Sequence, residues 1–136
     1  MAVSTYERDA RLNIFRGTAH PSVPTNFYIS LHSADPSLTG SSELSGNGYA
    51  RVAVSPASGS WDAPATNGSV RQIANTNAIA FAAATGSDWT AATHFGIWDA
   101  STSGNFIRGA ALGSSRTVQV GDTATFAAGA LVISEQ

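Results

Sequence analysis

The sequence contains no cysteine and no lysine, and it has few charged residues of either sign. Without cysteine, neither disulfide bonds nor thiolate metal ligands can hold the fold together. All seven basic residues are arginines, and the charged fraction is 12%, about half of the ~25% usual for soluble domains. The net charge is −2, and there is no basic stripe of the kind that follows nucleic acid. We therefore expect no nucleic-acid partner.

Long apolar runs are missing as well. No segment approaches the ~20 consecutive apolar residues of a membrane-spanning helix, so no membrane partner is expected. The stretch from Ser4 to Arg11 is polar where the apolar part of a secretory signal would begin, which predicts that no standard signal exports the chain.

The residues that are abundant are small: Ala, Ser, Thr and Gly. Together with the low charge they predict a weakly polar surface, and such surfaces tend to associate. Two interpretations follow from composition alone. Either part of the surface is buried against neighbours in an assembly, or the chain is a plain soluble β domain with bland loops.

Residues 4–17 carry the pattern of a single helix. Ser4 and Glu7 have the spacing of a capping box, in which each side chain accepts a hydrogen bond from the other residue's backbone N–H. Gly17 is a natural stop. The apolar positions within this segment are Tyr6, Ala10, Leu12, Ile14 and Phe15.

Three turns of helix are marginal in isolation, so this helix must dock on something. The alternatives are the remainder of its own chain and a neighbouring subunit. For a neighbouring subunit, the candidate contact residues are Tyr6, Leu12 and Phe15.

The pattern changes after Pro21 and Pro24, which favour an extended linker. We therefore divide the chain into an N-terminal helix with a proline-containing arm, residues 1–25, and a β domain, residues 26–136. Phe27, Ile29 and Leu31 alternate with polar residues, as in a half-buried strand. Further strand patterns are expected at 49–54, 69–73, 77–82, 93–99, 106–112, 116–120 and 123–134.

Many short strands separated by turn signals favour an antiparallel arrangement. The predicted fold class is all-β: a single antiparallel β-sandwich, Greek-key or jelly-roll-like, with a short N-terminal helix. Two connections, 34–47 and 55–68, are longer than hairpins need. Trp61 in the second is either a core residue under its loop or an exposed contact anchor, and we include it among the candidate partner contacts.

No catalytic constellation is recognisable. The three histidines, His20, His32 and His94, show no metal-ligand spacing. There is no Gly-x-Ser-x-Gly nucleophile elbow and no lysine-containing phosphate loop. We predict neither an enzyme nor a metal or cofactor site. Aspartates at strand ends, namely Asp35, Asp99 and Asp122, are predicted to accept hydrogen bonds from turn backbone.

Four blocks of sequence carry a family resemblance when taken in order. They are Leu31–Pro36 (LHSADP), Gly48–Arg51 (GYAR), Thr93–Ala100 (THFGIWDA) and Gly121–Leu131 (GDTATFAAGAL). Together they resemble a family of small structural proteins of tailed bacteriophages, labelled tail-fibre-like proteins or head decoration (cement) proteins. The resemblance covers most of the chain, and departs from the family pattern at Ser33 and Trp98, where a threonine and a smaller aromatic residue are expected.

The resemblance implies a virion component without catalytic residues, made in the host bacterial cytoplasm. Within it we favour a capsid decoration protein on the capsid surface, binding the major capsid protein lattice as a homo-oligomer, with a trimer as the guess. The alternative is a tail-fibre or tail-tip module that binds a host receptor, a glycan or another tail protein. The absence of heptads and internal repeats is modest support for decoration.

Overall fold

The computed structural model describes residues 1–136 and contains one helix and ten strands. No helix in it is long and apolar enough to cross a membrane. In chain order the elements are β1 (Ala2–Val3), α1 (Thr5–Ile14), β2 (Phe27–His32), β3 (Val52–Val54), β4 (Ala65–Asn67), β5 (Val70–Ala74), β6 (Ile79–Ala80), β7 (Ala92–Trp98), β8 (Phe106–Arg116), β9 (Thr125–Phe126) and β10 (Val132–Glu135).

The largest sheet has five antiparallel strands in the order β1-β8-β7-β2-β3. Its centre is the pairing of β2 with β7, which runs from Tyr28 opposite Trp98 to His32 opposite His94. Neighbouring β7 and β8 form a hairpin whose register shifts twice. Because side chains alternate along a strand, the two faces of this sheet carry different residue types.

One face of the large sheet is apolar and is covered by a three-stranded sheet, β10-β5-β4, and a two-stranded sheet, β6-β9. Buried side chains from the three sheets and their loops form a single core. Its members include Ile29, Leu31, Phe95, Ile97, Ile79, Phe81, Trp61, Trp89 and Leu131. The predicted all-β antiparallel fold with a short N-terminal helix is confirmed.

The opposite face of the large sheet carries Ser30, His32 and Trp98, and all three are buried. They are covered by the long connection of residues 33–51. At Gly40 the backbone of this connection has a φ of +79° and lies directly on the Trp98 ring, where an added Cβ would collide. The sequence predicts a loop here, but residues 33–51 form a packed layer on this face of the large sheet.

The helix begins as predicted, because the Ser4 hydroxyl accepts from the Glu7 N–H at 3.1 Å. The reciprocal half of the capping box is not formed. The Ser4 N–H donates instead to the Ile107 carbonyl at 2.9 Å, since Ala2 and Val3 pair with β8. The helix thus packs against the sheet of its own chain. The division of the chain at residues 25 and 26 stays a prediction.

Two other strand predictions differ from the structure. The pattern at 106–112 belongs to a longer strand that ends at Arg116, and the strand predicted at 116–120 is not formed beyond that residue. The pattern at 123–134 is broken into β9 and β10 by a turn at Gly129, where φ is +78°. Strands β1 and β4 were not predicted, because they have two and three residues and no apolar alternation.

Gly96 in β7 provides a sharp test of how tightly the covered face is packed. A Cβ at this position would lie 2.6 Å from Ser30 Oγ, 2.7 Å from His32 Nε2 and 2.8 Å from the Phe106 ring. We expect Gly96→Ala to lower the free energy of unfolding by about 1–3 kcal/mol, the usual cost of overpacking.

The matched control is Gly113→Ala in β8, where an added Cβ would meet nothing within 4 Å. Urea unfolding of both variants measures the difference. Equal midpoints for the two variants would show that the face around Gly96 is not close-packed.

Candidate partner-binding surface

An ionic cluster holds the helix on the β domain. Arg108 of β8 donates from Nη1 to Glu135 Oε2 of β10 at 2.7 Å, and Arg11 of α1 pairs with the other oxygen of the same carboxylate. Glu7 of α1 lies 3.8 Å from Arg108 and 3.7 Å from Arg11. The cluster therefore joins the helix, the large sheet and the three-stranded sheet.

The charge of Glu135 is stabilised by its two arginine partners. Partial burial alone would raise its pKa, but the hydrogen bonds and positive charges of Arg108 and Arg11 outweigh that effect and hold the pKa below its ordinary value. The carboxylate therefore stays ionised, and the attachment of the helix persists, well into mildly acidic conditions.

The face of α1 that points away from the sheet is apolar near the C-terminal end of the helix. Leu12 is 64% exposed and Phe15, which closes the last turn, is 90% exposed. Arg8 precedes them on the same face by helical spacing, and Arg16 follows directly. We call these four residues the helix face. Tyr6, the third predicted contact residue on this helix, is half-buried on its inner side and does not belong to the helix face.

An open groove of about 890 Å³ lies between the large sheet and the three-stranded sheet. Its walls are the inner side of α1 and the linker of residues 20–24, and we call it the inter-sheet groove. The larger apolar side chains that line it include Phe27, Trp61, Ile73, Ile97, Ile107 and Ile133. Its charged lining residues are Glu7, Asp62, Asp99 and Arg108.

Trp61 lies in the wall of this groove. It is 9% exposed and belongs to the hydrophobic core, and its backbone pairs with Asn75 in an isolated bridge. Of the two roles considered for this residue, the structure places it in the core under its loop. The ring edge can meet a molecule in the groove, but it is not an exposed loop tip.

The covered face of the large sheet contains a chain of hydrogen bonds among buried groups. Trp98 donates from Nε1 to Ser30 Oγ at 2.9 Å, and Ser30 Oγ lies 2.7 Å from His32 Nε2. His32 Nδ1 lies 2.7 Å from the Ser41 carbonyl, which can only accept. The proton of neutral His32 is therefore on Nδ1, and Nε2 accepts from Ser30.

The His32 imidazole is held in its neutral form. Burial lowers its pKa, and the hydrogen bond to Ser41 offsets that shift only in part. A second proton on Nε2 would also face a serine oxygen that already accepts from Trp98, which would leave the serine proton without a partner.

Next to this chain, Arg51 stacks on Trp98 and binds Glu43. The Arg51 guanidinium carbon lies 3.7 Å from the ring centroid, a cation–π contact. Nε and Nη2 of Arg51 donate to the two Glu43 oxygens at 2.8 and 2.7 Å, a bidentate pair. The remaining Nη1 donates to the carbonyls of Ala100 and Ser103.

Tyr49 completes this network. Its hydroxyl donates to Glu43 at 3.1 Å and accepts from the Leu31 N–H at 2.9 Å. Burial raises the pKa of Tyr49 far above its ordinary value, so the phenol remains protonated. No buried side-chain polar atom of the chain lacks a partner, as expected of a structural network.

Comparison with protein families decides the class of this molecule. A family model described as "Podophage GP4 fiber I protein gp80" matches residues 2–134, nearly the whole chain. The chain belongs to this family. The fiber I description makes it a structural protein of a phage virion. No curated protein matches the chain. The resemblance to phage virion structural proteins is thus confirmed, while the labels of the individual blocks stay predictions.

In this fiber I family member, most of the sequence blocks that carry the family resemblance place side chains in one network. Three of them, 31–36, 48–51 and 93–100, contribute His32, Arg51 and Trp98 to the network on the covered face of the large sheet. Trp98, where the chain departs from the expected pattern, supplies both the indole donor and the surface on which Arg51 stacks. In this chain, these three blocks contribute packing and hydrogen bonds to the covered face.

The other histidines do not join His32 in a site. His94 lies opposite His32 in the register, but its Nδ1 lies 2.8 Å from Thr93 Oγ1, while exposed His20 lies 3.8 Å from Glu7. No group of three or more His, Asp or Glu residues is placed to hold a metal ion.

Sequence reasoning missed Arg108 and Glu135, which position the helix. Arg108 is a charged residue inside an apolar strand pattern, and such a residue signals a partner. The partner is 27 residues away, and nothing local indicates it. Ser30 was assigned only to the polar face of its strand, and its role depends on the register with β7.

His32 makes the stability of this fiber I family member depend on pH. The unfolded chain binds a proton at the ordinary pKa of 6.5, whereas the folded chain does so only at lower pH. Between those values the unfolded state holds more protons, so stability falls as the pH is lowered, by at most about 1.4 kcal/mol per pH unit. We expect His32→Gln to flatten this slope.

Urea unfolding between pH 7 and pH 5 measures the slope, and His20→Gln at an exposed position is the control. Glu135 contributes separately at lower pH, because a depressed carboxyl pKa adds stability that is lost only below the ordinary value of 4.5. Identical slopes for the wild type and His32→Gln would contradict the assignment.

Proposed function

We propose that this chain is a structural subunit of a phage tail fibre and that it is built into the fibre through the helix face. The observation that carries the proposal is the exposure of Phe15 and Leu12 on a helix that is fixed to the sheets by paired charges. The fiber I description of the family supports a fibre over other parts of the virion.

The energetics favour a partner on this face. Burying a Leu or Phe side chain contributes roughly 1.5–3 kcal/mol relative to leaving it exposed. The helix face has this surface available without unfolding anything, because the residues that attach α1 lie on its other side. Such a preformed contact costs little ordering on binding.

A role in capsid decoration is the second candidate, and it stays a prediction. The favouring observations are the compact β domain and the lack of heptads and repeats in the sequence. In that role the helix face would contact the major capsid protein. The receptor- or glycan-binding version of the tail role also stays a prediction. It rests on the two long connections, because Trp61 is covered and not at a loop tip. A homo-oligomer, and a trimer in particular, also stays a prediction.

The test combines location with a surface variant. Antibody-labelled electron microscopy of virions should place the chain in fibres at the tail. We expect the double variant Leu12→Ser/Phe15→Ser to reduce its copies per virion at least several-fold while the urea midpoint of the purified protein does not fall, because both side chains are solvent-exposed.

Val120→Ser is the matched control, since Val120 is 52% exposed and lies in a loop far along the chain from α1. Label distributed over the head would overturn the fibre proposal in favour of decoration. Normal incorporation of the double variant would show that another surface makes the contact.

A further inference from the structure

We propose that the partner of the helix face is the inter-sheet groove of a second copy of this chain. The inference rests on the proposed function, since it names the partner of the same surface. It arises from two features of one molecule that complement each other, an exposed apolar projection with cations beside it and an apolar groove with carboxylates at its rim.

The groove has the size and lining of a binding site. Its volume of about 890 Å³ lies within the roughly 300–1,000 Å³ of known ligand pockets, which are also mainly apolar with a few polar groups. Isoleucines from both sheets and the Trp61 ring line it. Leu12 and Phe15 are side chains of the type that such a surface accepts.

The charges of the groove are unbalanced toward negative. Three carboxylates line it, from Glu7, Asp62 and Asp99, against one guanidinium, from Arg108. Glu7 and Arg108 are held in the ionic cluster. Asp62 and Asp99 accept hydrogen bonds from the Ala74 and Asn105 N–H groups, respectively, but neither has a cationic partner within its own chain.

The charges of the helix face are unbalanced the other way. Arg8 makes no ion pair, and Arg16 donates only to the amide oxygen of Asn13 at 3.0 Å. Asp9, on the neighbouring edge of the exposed helix surface, is the one carboxylate close by. Two guanidinium groups that make no ion pair, beside Leu12 and Phe15, thus match two carboxylates that make no ion pair, beside an apolar groove. Matched potentials of this kind select orientation and partner.

The same charges disfavour the simplest alternative, two helix faces packed on each other. That arrangement would bring four arginines together against two aspartates. A contact between the helix face of one copy and the inter-sheet groove of another keeps these arginines apart. Because each copy carries both surfaces, further copies can add through the same contact.

The experiment uses the purified full-length protein and two kinds of variant. Leu12→Ser/Phe15→Ser removes the projection and leaves the groove open. Ala63→Trp places a large ring at an exposed residue that lines the groove. Ser58→Trp, at a second exposed lining residue, is an independent block.

By analytical ultracentrifugation, each variant alone should associate about tenfold more weakly than the wild type, or worse, as expected when a buried anchor is lost. Mixing a projection variant with a blocked variant should restore association, because one intact helix face then meets one open groove. Native mass spectrometry should show pairs that contain one of each. Val120→Ser should associate like the wild type.

Three results would overturn the proposal. They are a wild-type protein that stays monomeric at high concentration, unchanged association of both blocked variants, and a mixture as weak as its separate components. None of these concerns where the chain lies in the virion. Conversely, label on the head would overturn the fibre role and leave the groove contact standing, so the two proposals fail separately.

Discussion

The structure depends most on the contact of Arg51 with Glu43 and Trp98. The Arg51 guanidinium donates two hydrogen bonds to the Glu43 carboxylate and stacks on the Trp98 indole. Its remaining nitrogen, Nη1, donates to two backbone carbonyls. Lysine has neither the fork nor the planar face. Through this one group the 33–51 connection is fixed to the large sheet and to the turn that follows β7. Removing one partner of a pair this buried leaves a charge without compensation, which is usually strongly destabilising.

A second set of charges, from Arg11, Arg108 and Glu135, attaches the helix to the sheets, but it lies at the surface. Arg108 is mostly covered, whereas the side chains of Arg11 and Glu135 are 37% and 41% exposed. Exposed pairs are individually weak. Their value here is geometric, because three elements meet at one carboxylate and the orientation of α1 is fixed. That orientation presents Phe15 to solvent and makes one wall of the inter-sheet groove.

The sequence contained the local rules of this fold and few of its distant contacts. The Ser4 cap, the strand at Phe27–Leu31 and the turn roles of Asp35 and Asp99 follow from neighbouring residues and are confirmed. The expected half-burial of that strand is wrong, because Ser30 on its polar face is buried as well. Asp122, also expected to accept from a turn, makes no such side-chain bond. Asp88 accepts from the Val120 N–H instead, across 32 residues. Local chemistry identifies a capping residue type, but the approach of distant backbone decides which one is used.

The candidate surface divides in the same way. Leu12 and Phe15 were found because apolar residues on a short helix must meet something. Tyr6 was chosen on the same grounds, and Trp61 was chosen as an aromatic residue in a long connection. Tyr6 lies on the inner side of the helix, and Trp61 lies in the core. Periodicity predicts which residues share one face of a helix, but it does not predict whether that face points to the sheet or to solvent. The direction was set by Arg108 and Glu135, whose pairing depends on the order of strands.

The shortness of the outermost strands decides where a second chain could pair with the large sheet. The large sheet ends in β1 and β3, of two and three residues. Long open edges recruit further strands, and many proteins protect them with lysine, which this chain does not contain. Here β1 and β3 are too short to template another chain, but β1 pairs with β8 only at Arg108 and Gly109. A second chain that paired with the large sheet on this side would therefore have to do so at the uncovered part of β8, residues 110–116.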